Sequence, residues 1–191
     1  MYYLLQKNKK FLNVVGIILL VGLIVGIFYY FSLSSNIKED ISNTLLNYNN
    51  FRYNAIVKDL IVMSFLLVTS IFIIGIPCSI FYLFYESLSI GFLLSIFTVN
   101  FKITGLIYIL LYFLINKLIG LILMLFFIKK IINISRYIIG IIIYKKDTLI
   151  KNKLLLNLNN CMYIIIFSLI VNILLYFISP YIFSKLSFLI K

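Results

Sequence analysis

Long stretches without a charged side chain are the feature that most constrains how this chain can fold. Residues 11–31 and 154–184 carry no charge, and residues 60–101 carry only Glu86. A hydrocarbon core about 30 Å thick needs about 20 helical residues to cross it, and helices satisfy their own backbone polar groups in lipid. The chain is therefore predicted to be an all-α, polytopic integral membrane bundle, a multi-pass protein of the cell membrane.

Composition and charge support that prediction. Of the 191 residues, 64% are hydrophobic, and the mean hydropathy is +1.16, whereas a soluble domain is only about half apolar. The formal charge of +12 comes from basic residues that flank the apolar runs. Basic residues in that setting favour membrane lipids with anionic headgroups as the partner, and they argue against nucleic acid.

About five transmembrane helices are predicted, at residues 11–31, 60–85, 88–101, 103–128 and 160–180. A single helix over residues 60–101 would be about twice as long as the bilayer is thick, so this segment must turn back. A turn at residues 86–89 satisfies that requirement and gives the bounds above. A break near Gly75 and Pro77 also satisfies it, and would leave Glu86 at membrane depth.

The distribution of charge predicts the orientation of the chain. Residues 129–153 are strongly basic and are predicted to form a cytoplasmic loop with a basic helix or helical extension. Residues 32–59 are neutral overall and are predicted to form an outer loop, with an amphipathic helix from Ile37 to Ala55. Basic segments stay on the cytoplasmic side, so one helix precedes the outer loop, three follow it, and the N-terminus is cytoplasmic.

Residue types that carry catalysis or bind metals are scarce. There is no histidine, and Cys78 and Cys161 lie in or beside apolar runs, as small buried hydrophobic residues do. Of the five acidic residues only Glu39 and Asp40 are close in sequence, and neighbours on a helix do not face each other. We therefore predict no catalytic residues, no metal site and no cofactor, and a protein that is not an enzyme.

Two groups of residues are candidates for a function inside the membrane. Glu86 and Lys117 are the most deeply embedded ionisable residues, and such residues mark substrate paths by default. The alternatives are a turn residue for Glu86 and a snorkelling side chain for Lys117. Gly22 and Gly26 have the spacing that lets two helices approach closely, although glycines in a lipid-facing helix would look the same.

Residues 73–92 read IIGIPCSIFYLFYESLSIGF and resemble the stage II sporulation protein M family of small polytopic membrane proteins. The resemblance extends over essentially the whole chain, and the residues that carry it are Gly75, Pro77, Gly91, Phe92, Asn116, Ser179 and Pro180. The chain departs from the family pattern at Leu114 and Gly120, where the family has prolines, at Glu86-Ser87, where it has Lys-Gly, and near Leu175, where it often has an acidic residue.

The resemblance implies a non-enzymatic membrane scaffold. The sporulation member of the family anchors a peptidoglycan-degrading complex during forespore engulfment, and its partners are the hydrolases called stage II sporulation proteins D and P. A permease-like subunit of a transporter or export system is the main alternative. A divergent relative with an immunity or stress function also fits, and a homo-oligomer is compatible with every one of these.

Overall fold

The computed structural model describes residues 2–46, 53–72, 74–144 and 148–186, and over these residues the chain is all-helical, without strands. The helices are α1 (Tyr2–Ser32), α2 (Ser35–Leu46), α3 (Tyr53–Ile71), α4 (Gly75–Tyr112), α5 (Leu118–Tyr144) and α6 (Thr148–Leu186), with a π-helical turn at Phe113–Lys117. Among the described residues, four stretches are long and apolar enough to cross a membrane: Phe11–Ser32, Gly75–Tyr112, Leu118–Ile142 and Lys151–Ile178.

The chain turns between α3 and α4, so the predicted turn at residues 86–89 is wrong and the alternative break is present. Pro77 lies in the first turn of α4, where a missing backbone N–H needs no partner. A Cβ on Gly75 would lie 2.5 Å from the Cα of Ser70, so only glycine permits this close turn. As a result α4 continues through Glu86, and the helix bounds 60–85 and 88–101 do not hold.

The other boundaries differ from the prediction where charged residues lie inside helices. Helix α3 begins at Tyr53 and includes Lys58 and Asp59, and a carboxylate oxygen of Asp59 accepts a hydrogen bond of 3.2 Å from the amide of Asn172 on α6. Helix α5 extends through the basic residues to Tyr144. A hydropathy pattern ends a span at the first charges, whereas the backbone remains helical beyond them.

Helix α4 is sharply bent at Lys102, between the predicted segments 88–101 and 103–128. Lys102 has φ 53° and ψ −130°, so α4 consists of two limbs, 75–101 and 103–112. The rings of Phe97 and Tyr108 stack with their centroids 5.4 Å apart, and a Cβ on Gly105 would overlap the carbonyl oxygen of Phe97. Residues eight apart on a straight helix lie about 12 Å apart, so the second limb folds back along the first.

The positive φ of Lys102 predicts that glycine at this position would stabilise the protein. A residue with a Cβ is strained in this region by about 1–3 kcal/mol, and glycine is not. Lys102→Gly is therefore expected to stabilise the protein by about 1 kcal/mol in detergent unfolding followed by circular dichroism. Asn100→Gly, two residues earlier at an exposed helical position, is the control and should cost about 0.3 kcal/mol, the difference between the helix propensities of asparagine and glycine. Equal destabilisation by both variants would contradict the strain at Lys102.

The contacts divide the chain into two compact units. The first unit comprises the described parts of 1–48 and 80–109. In this unit α1 and the first limb of α4 run parallel, because Leu19 contacts Ser87 and, further along both helices, Tyr30 contacts Phe92. The close contact between α1 and the first limb of α4 therefore fixes how these two helices lie against each other.

The second unit comprises the described parts of 49–79 and 110–191. Helices α5 and α6 are joined by a short connection and pack together along their length, and α3 packs against both. The Ser135 hydroxyl on α5 donates a hydrogen bond of 3.0 Å to the Ser70 carbonyl at the end of α3. The core of this unit consists of Met63, Leu66, Met124, Phe127, Ile128, Ile131, Ile134 and Cys161.

Candidate functional site

A close contact between backbones joins α1 and α4 in the first unit. A Cβ added to Gly22 would lie 2.7 Å from the Phe84 carbonyl oxygen, and one on Gly26 would overlap the Leu88 carbonyl oxygen. The Ser87 hydroxyl donates a hydrogen bond to the Leu19 carbonyl. The structure thus places both candidate packing glycines at the interface of two helices, where small residues allow van der Waals contact and interhelical hydrogen bonds.

On the α4 side of this contact, Ser87 and Gly91 belong to a longer pattern of buried residues that the sequence analysis missed. Every fourth residue along the first limb is buried, and most of these residues are small: Gly75, Ser79, Leu83, Ser87, Gly91 and Ser95. The hydroxyls of Ser79 and Ser95 donate to carbonyls four residues earlier, at 2.6 and 3.1 Å, so neither is left unsatisfied. The repeat of small residues at intervals of four could have predicted a buried face on the first limb of α4, on which Gly91 contacts Leu23 of α1 and Gly75 contacts Ser70 of α3.

One lysine of α2 contacts the C-terminal end of α1. The amine of Lys38 donates a hydrogen bond of 3.1 Å to the carbonyl of Phe31, one of the last carbonyls of α1. The same amine lies 5.4 Å from the centroid of the Tyr30 ring, within the range of a cation–π interaction. A cation at a helix C-terminus also interacts favourably with the helix dipole. Helix α2 is thus held at the end of α1, while Ile37 remains 47% exposed.

Glu86 lies near the middle of the first limb of α4, in an uninterrupted α-helix. The interpretation of this residue as part of a turn is therefore wrong. Its side chain is half-buried, and the carboxylate oxygen Oε2 is fully enclosed by protein. An acidic group at this depth in an apolar helix is costly, and proteins retain such groups mainly where they interact or transport.

Asn116 and Lys117 coincide with the π-helical turn Phe113–Lys117. Such single turns occur inside α-helices often at functional sites, because the extra residue displaces the helix face beyond it. The side chain of Lys117 is half-buried, whereas that of Asn116 lies outside the described residues. Glu86 belongs to the first compact unit and Lys117 to the second, so the structure does not assign them to one site within a unit.

The residues that carry the family resemblance have different surroundings. Gly91 packs against the backbone of Leu23, and the ring of Phe92 lies 5.8 Å from that of Tyr29. Gly75 is enclosed by the α3–α4 turn, and Pro77 is exposed beside it. Ser179 and Pro180 fall inside α6, which continues to Leu186, and their side chains lie outside the described residues.

The cysteine and acidic side chains of the described residues do not come together as a metal site. Nowhere in the part of the chain that the structure describes do three His, Cys, Asp or Glu side chains come together as metal ligands. Cys161 is buried and Cys78 half-buried, and both are free thiols. Many of the side-chain hydrogen bonds in the described helices run from a serine or threonine hydroxyl to a backbone carbonyl three or four residues earlier.

No known protein family, curated protein or solved structure matches this chain.

Proposed function

We propose that this chain is a non-enzymatic scaffold of the cell membrane that holds a peptidoglycan-degrading complex at the membrane surface, as the family that it resembles does. The observation that carries this proposal is the fixed attachment of α2 to the end of α1 through Lys38. An anchor must present a binding element in a defined position, and an amphipathic helix held at the end of a membrane helix has that property.

The proposal includes a topology of five crossings with a cytoplasmic N-terminus. The crossings are α1, α3, the two limbs that meet at Lys102 with the second limb continuing into α5, and α6. Parallel packing of α1 and the first limb of α4 supports this order, since both helices then run outward. The basic residues of 129–144 and 148–153 lie at the end of α5 and the start of α6, where the positive-inside rule puts the cytoplasm.

In this topology α2 lies on the outer surface, where cell-wall hydrolases act. Ile37 is exposed on α2, and the neighbouring Glu39 and Asp40 are exposed as well. An apolar side chain bordered by charges on a fixed helix suits a protein partner with a small apolar pocket. Stage II sporulation proteins D and P, or hydrolases of the same chemistry, are the proposed partners.

The proposal predicts that Ile37→Asp abolishes partner recruitment. Tagged protein would be purified from detergent-solubilised membranes of sporulating and growing cells, and the co-purified activity measured by clearing of isolated cell walls. We expect hydrolase activity with the wild type from sporulating cells only, and a loss of about tenfold or more with Ile37→Asp, which corresponds to about 1.4 kcal/mol. Ser34→Asp, an exposed position just before α2, adds the same charge and should retain the activity. Full activity with Ile37→Asp would exclude docking on α2.

A permease-like subunit of a transporter is the second candidate, and the position of Glu86 favours it. A carboxylate oxygen enclosed in the middle of a membrane helix is costly for a passive anchor and useful for a transport path. Glu86→Gln in the same purification separates the two functions. A scaffold retains its hydrolases with this variant, whereas a transporter co-purifies an ATP-binding subunit from growing cells and loses transport when Glu86 is replaced.

A further inference from the structure

We propose that the crevice between α5 and α6 binds one anionic glycerophospholipid, with an acyl chain in its apolar part and the phosphate beside Lys130. The proposal goes beyond the scaffold function and rests only on the membrane topology given above. Three observations support it: the groove between the helices, the change from apolar to basic side chains along it, and the positive charge at the end near the α5–α6 connection.

The apolar part of the crevice is a groove of about 430 Å³, a volume within the ~300–1,000 Å³ of small-molecule sites. It opens to the outside of the second unit, and Tyr163 and Phe167 remain largely exposed in it. The side chains that line it are those of Leu123, Tyr163, Ile164, Ile166, Phe167 and Ile170. All six side chains are aliphatic or aromatic, and in the topology given above they lie on the membrane side of the basic residues, so this part of the groove faces the hydrocarbon region.

The crevice becomes polar toward the α5–α6 connection. On α5, Lys130 follows Leu123 by two helical turns and lies on the same face, about 10 Å further along the axis. Lys130 is within electrostatic range of Cys161 on α6. It therefore lies beside α6, beyond the apolar groove, and not on the opposite side of α5.

The side chains of α6 that border the crevice also change from apolar to polar toward the α5–α6 connection. Lys153, Asn160, Ile164 and Phe167 recur at intervals of seven, four and three residues and so form one stripe along the helix. From the groove toward the connection, the stripe passes from an aromatic and an aliphatic side chain to an amide and then to an amine. The two helices thus border a crevice with an apolar end and a polar end.

The charge of the polar end selects an anion. The described residues of 129–144 and 148–153 contain Lys129, Lys130, Arg136, Lys151 and Lys153 and no acidic residue. A second copy of this chain would bring the same positive charges to the crevice, whereas a lipid phosphate with an anionic headgroup neutralises them. A zwitterionic lipid carries its own cation and gains less from Lys130 and Lys153.

Lipid retention tests the proposal with purified protein and no partner. The protein is reconstituted in bilayers of equal phosphatidylglycerol and phosphatidylcholine with identical acyl chains, extracted in mild detergent, and its bound lipids are counted by native mass spectrometry. We expect one retained phosphatidylglycerol per chain and a phosphatidylglycerol preference of about fivefold or more in the wild type, equivalent to about 1 kcal/mol. Lys130→Gln should reduce this preference to near unity. Lys102→Gln removes an exposed lysine of the first unit and should leave the preference unchanged.

A second variant tests the apolar part of the crevice. Leu123→Trp fills the groove and leaves every charge in place, so it should remove the retained lipid, while circular dichroism and elution volume show that the protein is folded. Glycerophosphoglycerol, the headgroup without acyl chains, should not compete at concentrations that saturate the lipid. Equal retention of the two lipids by the wild type, equal loss with Lys130→Gln and Lys102→Gln, or a lipid-free dimer blocked by Leu123→Trp would each overturn the proposal. Because no hydrolase takes part, these outcomes are independent of the scaffold function.

Discussion

Gly26→Leu is expected to lower the free energy of unfolding by about 3 kcal/mol, because it inserts a side chain where two backbones touch. A Cβ at this position would overlap the carbonyl oxygen of Leu88 and lie 3.0 Å from the backbone nitrogen of Phe92. Both obstacles are main-chain atoms of an α-helix, which cannot rotate away as a side chain can. The two helices must separate, and the contacts of Gly22 and Ser87 weaken with them.

The same helix supplies the control for this prediction. Gly16 is also in α1, and a Cβ there would meet no atom within 4 Å, so Gly16→Leu should change stability by less than about 0.5 kcal/mol. Both variants raise the hydropathy of the stretch Phe11–Ser32 by the same amount, so a difference in membrane insertion cannot account for a difference in their stability. Unfolding in mixed detergent and SDS, followed by circular dichroism, measures the difference. Equal stability of the two variants would mean that α1 and α4 do not pack through Gly26.

Gly75→Val is expected to destabilise the second unit by about 3 kcal/mol, through overpacking and the loss of a buried hydrogen bond. A Cβ at Gly75 would lie 2.5 Å from the Cα of Ser70 and 3.0 Å from the hydroxyl oxygen of Ser135. That hydroxyl donates a hydrogen bond to the Ser70 carbonyl, so displacement of either serine breaks the link between α3 and α5. The effect should appear in the same unfolding assay.

Two further variants separate the causes of this destabilisation. Gly120→Val adds the same side chain inside α5, where no atom lies within 4 Å, and should not destabilise the protein, because valine has a helix propensity about 0.3 kcal/mol better than that of glycine. Ser135→Ala removes only the hydrogen bond and should cost about 1 kcal/mol. If Gly75→Val costs no more than Ser135→Ala, the turn accommodates a side chain and the glycine is not required there.

Some elements of the fold follow directly from the chain's own pattern. The uncharged run 11–31 corresponds to the apolar stretch Phe11–Ser32 of α1, and the bend at Lys102 falls between two predicted segments. The spacing of Gly22 and Gly26 predicts a close helix contact, and both glycines lie at one. These features are local. The number of residues that a span needs, and the space that a glycine leaves for a neighbouring helix, are each properties of one helix.

Other elements depend on residues far apart in the chain. The position of the turn within 60–101 depends on how closely Gly75 can approach Ser70 and Ser135, and a hydropathy pattern contains no such distance. The carboxylate of Asp59 inside α3 accepts a hydrogen bond from Asn172, which is more than a hundred residues away in the chain. The attachment of α2 depends on where the end of α1 lies relative to Lys38. None of these three features could be predicted from the sequence, because each depends on contacts that form only in the packed structure.

The amino-acid sequence by itself predicted a helical chain with apolar stretches long enough to cross a membrane, because a helix pairs its own backbone polar groups within each uncharged run. The spacing of Gly22 and Gly26 also indicated where α1 permits another helix to approach closely. Only the tertiary structure decided which helices touch, where α3 turns into α4, and that Glu86 lies inside a helix instead of at a turn. The physical reason is that in lipid the hydrophobic effect does not drive one helix against another, so pairing is decided by shape and by hydrogen bonds between distant residues.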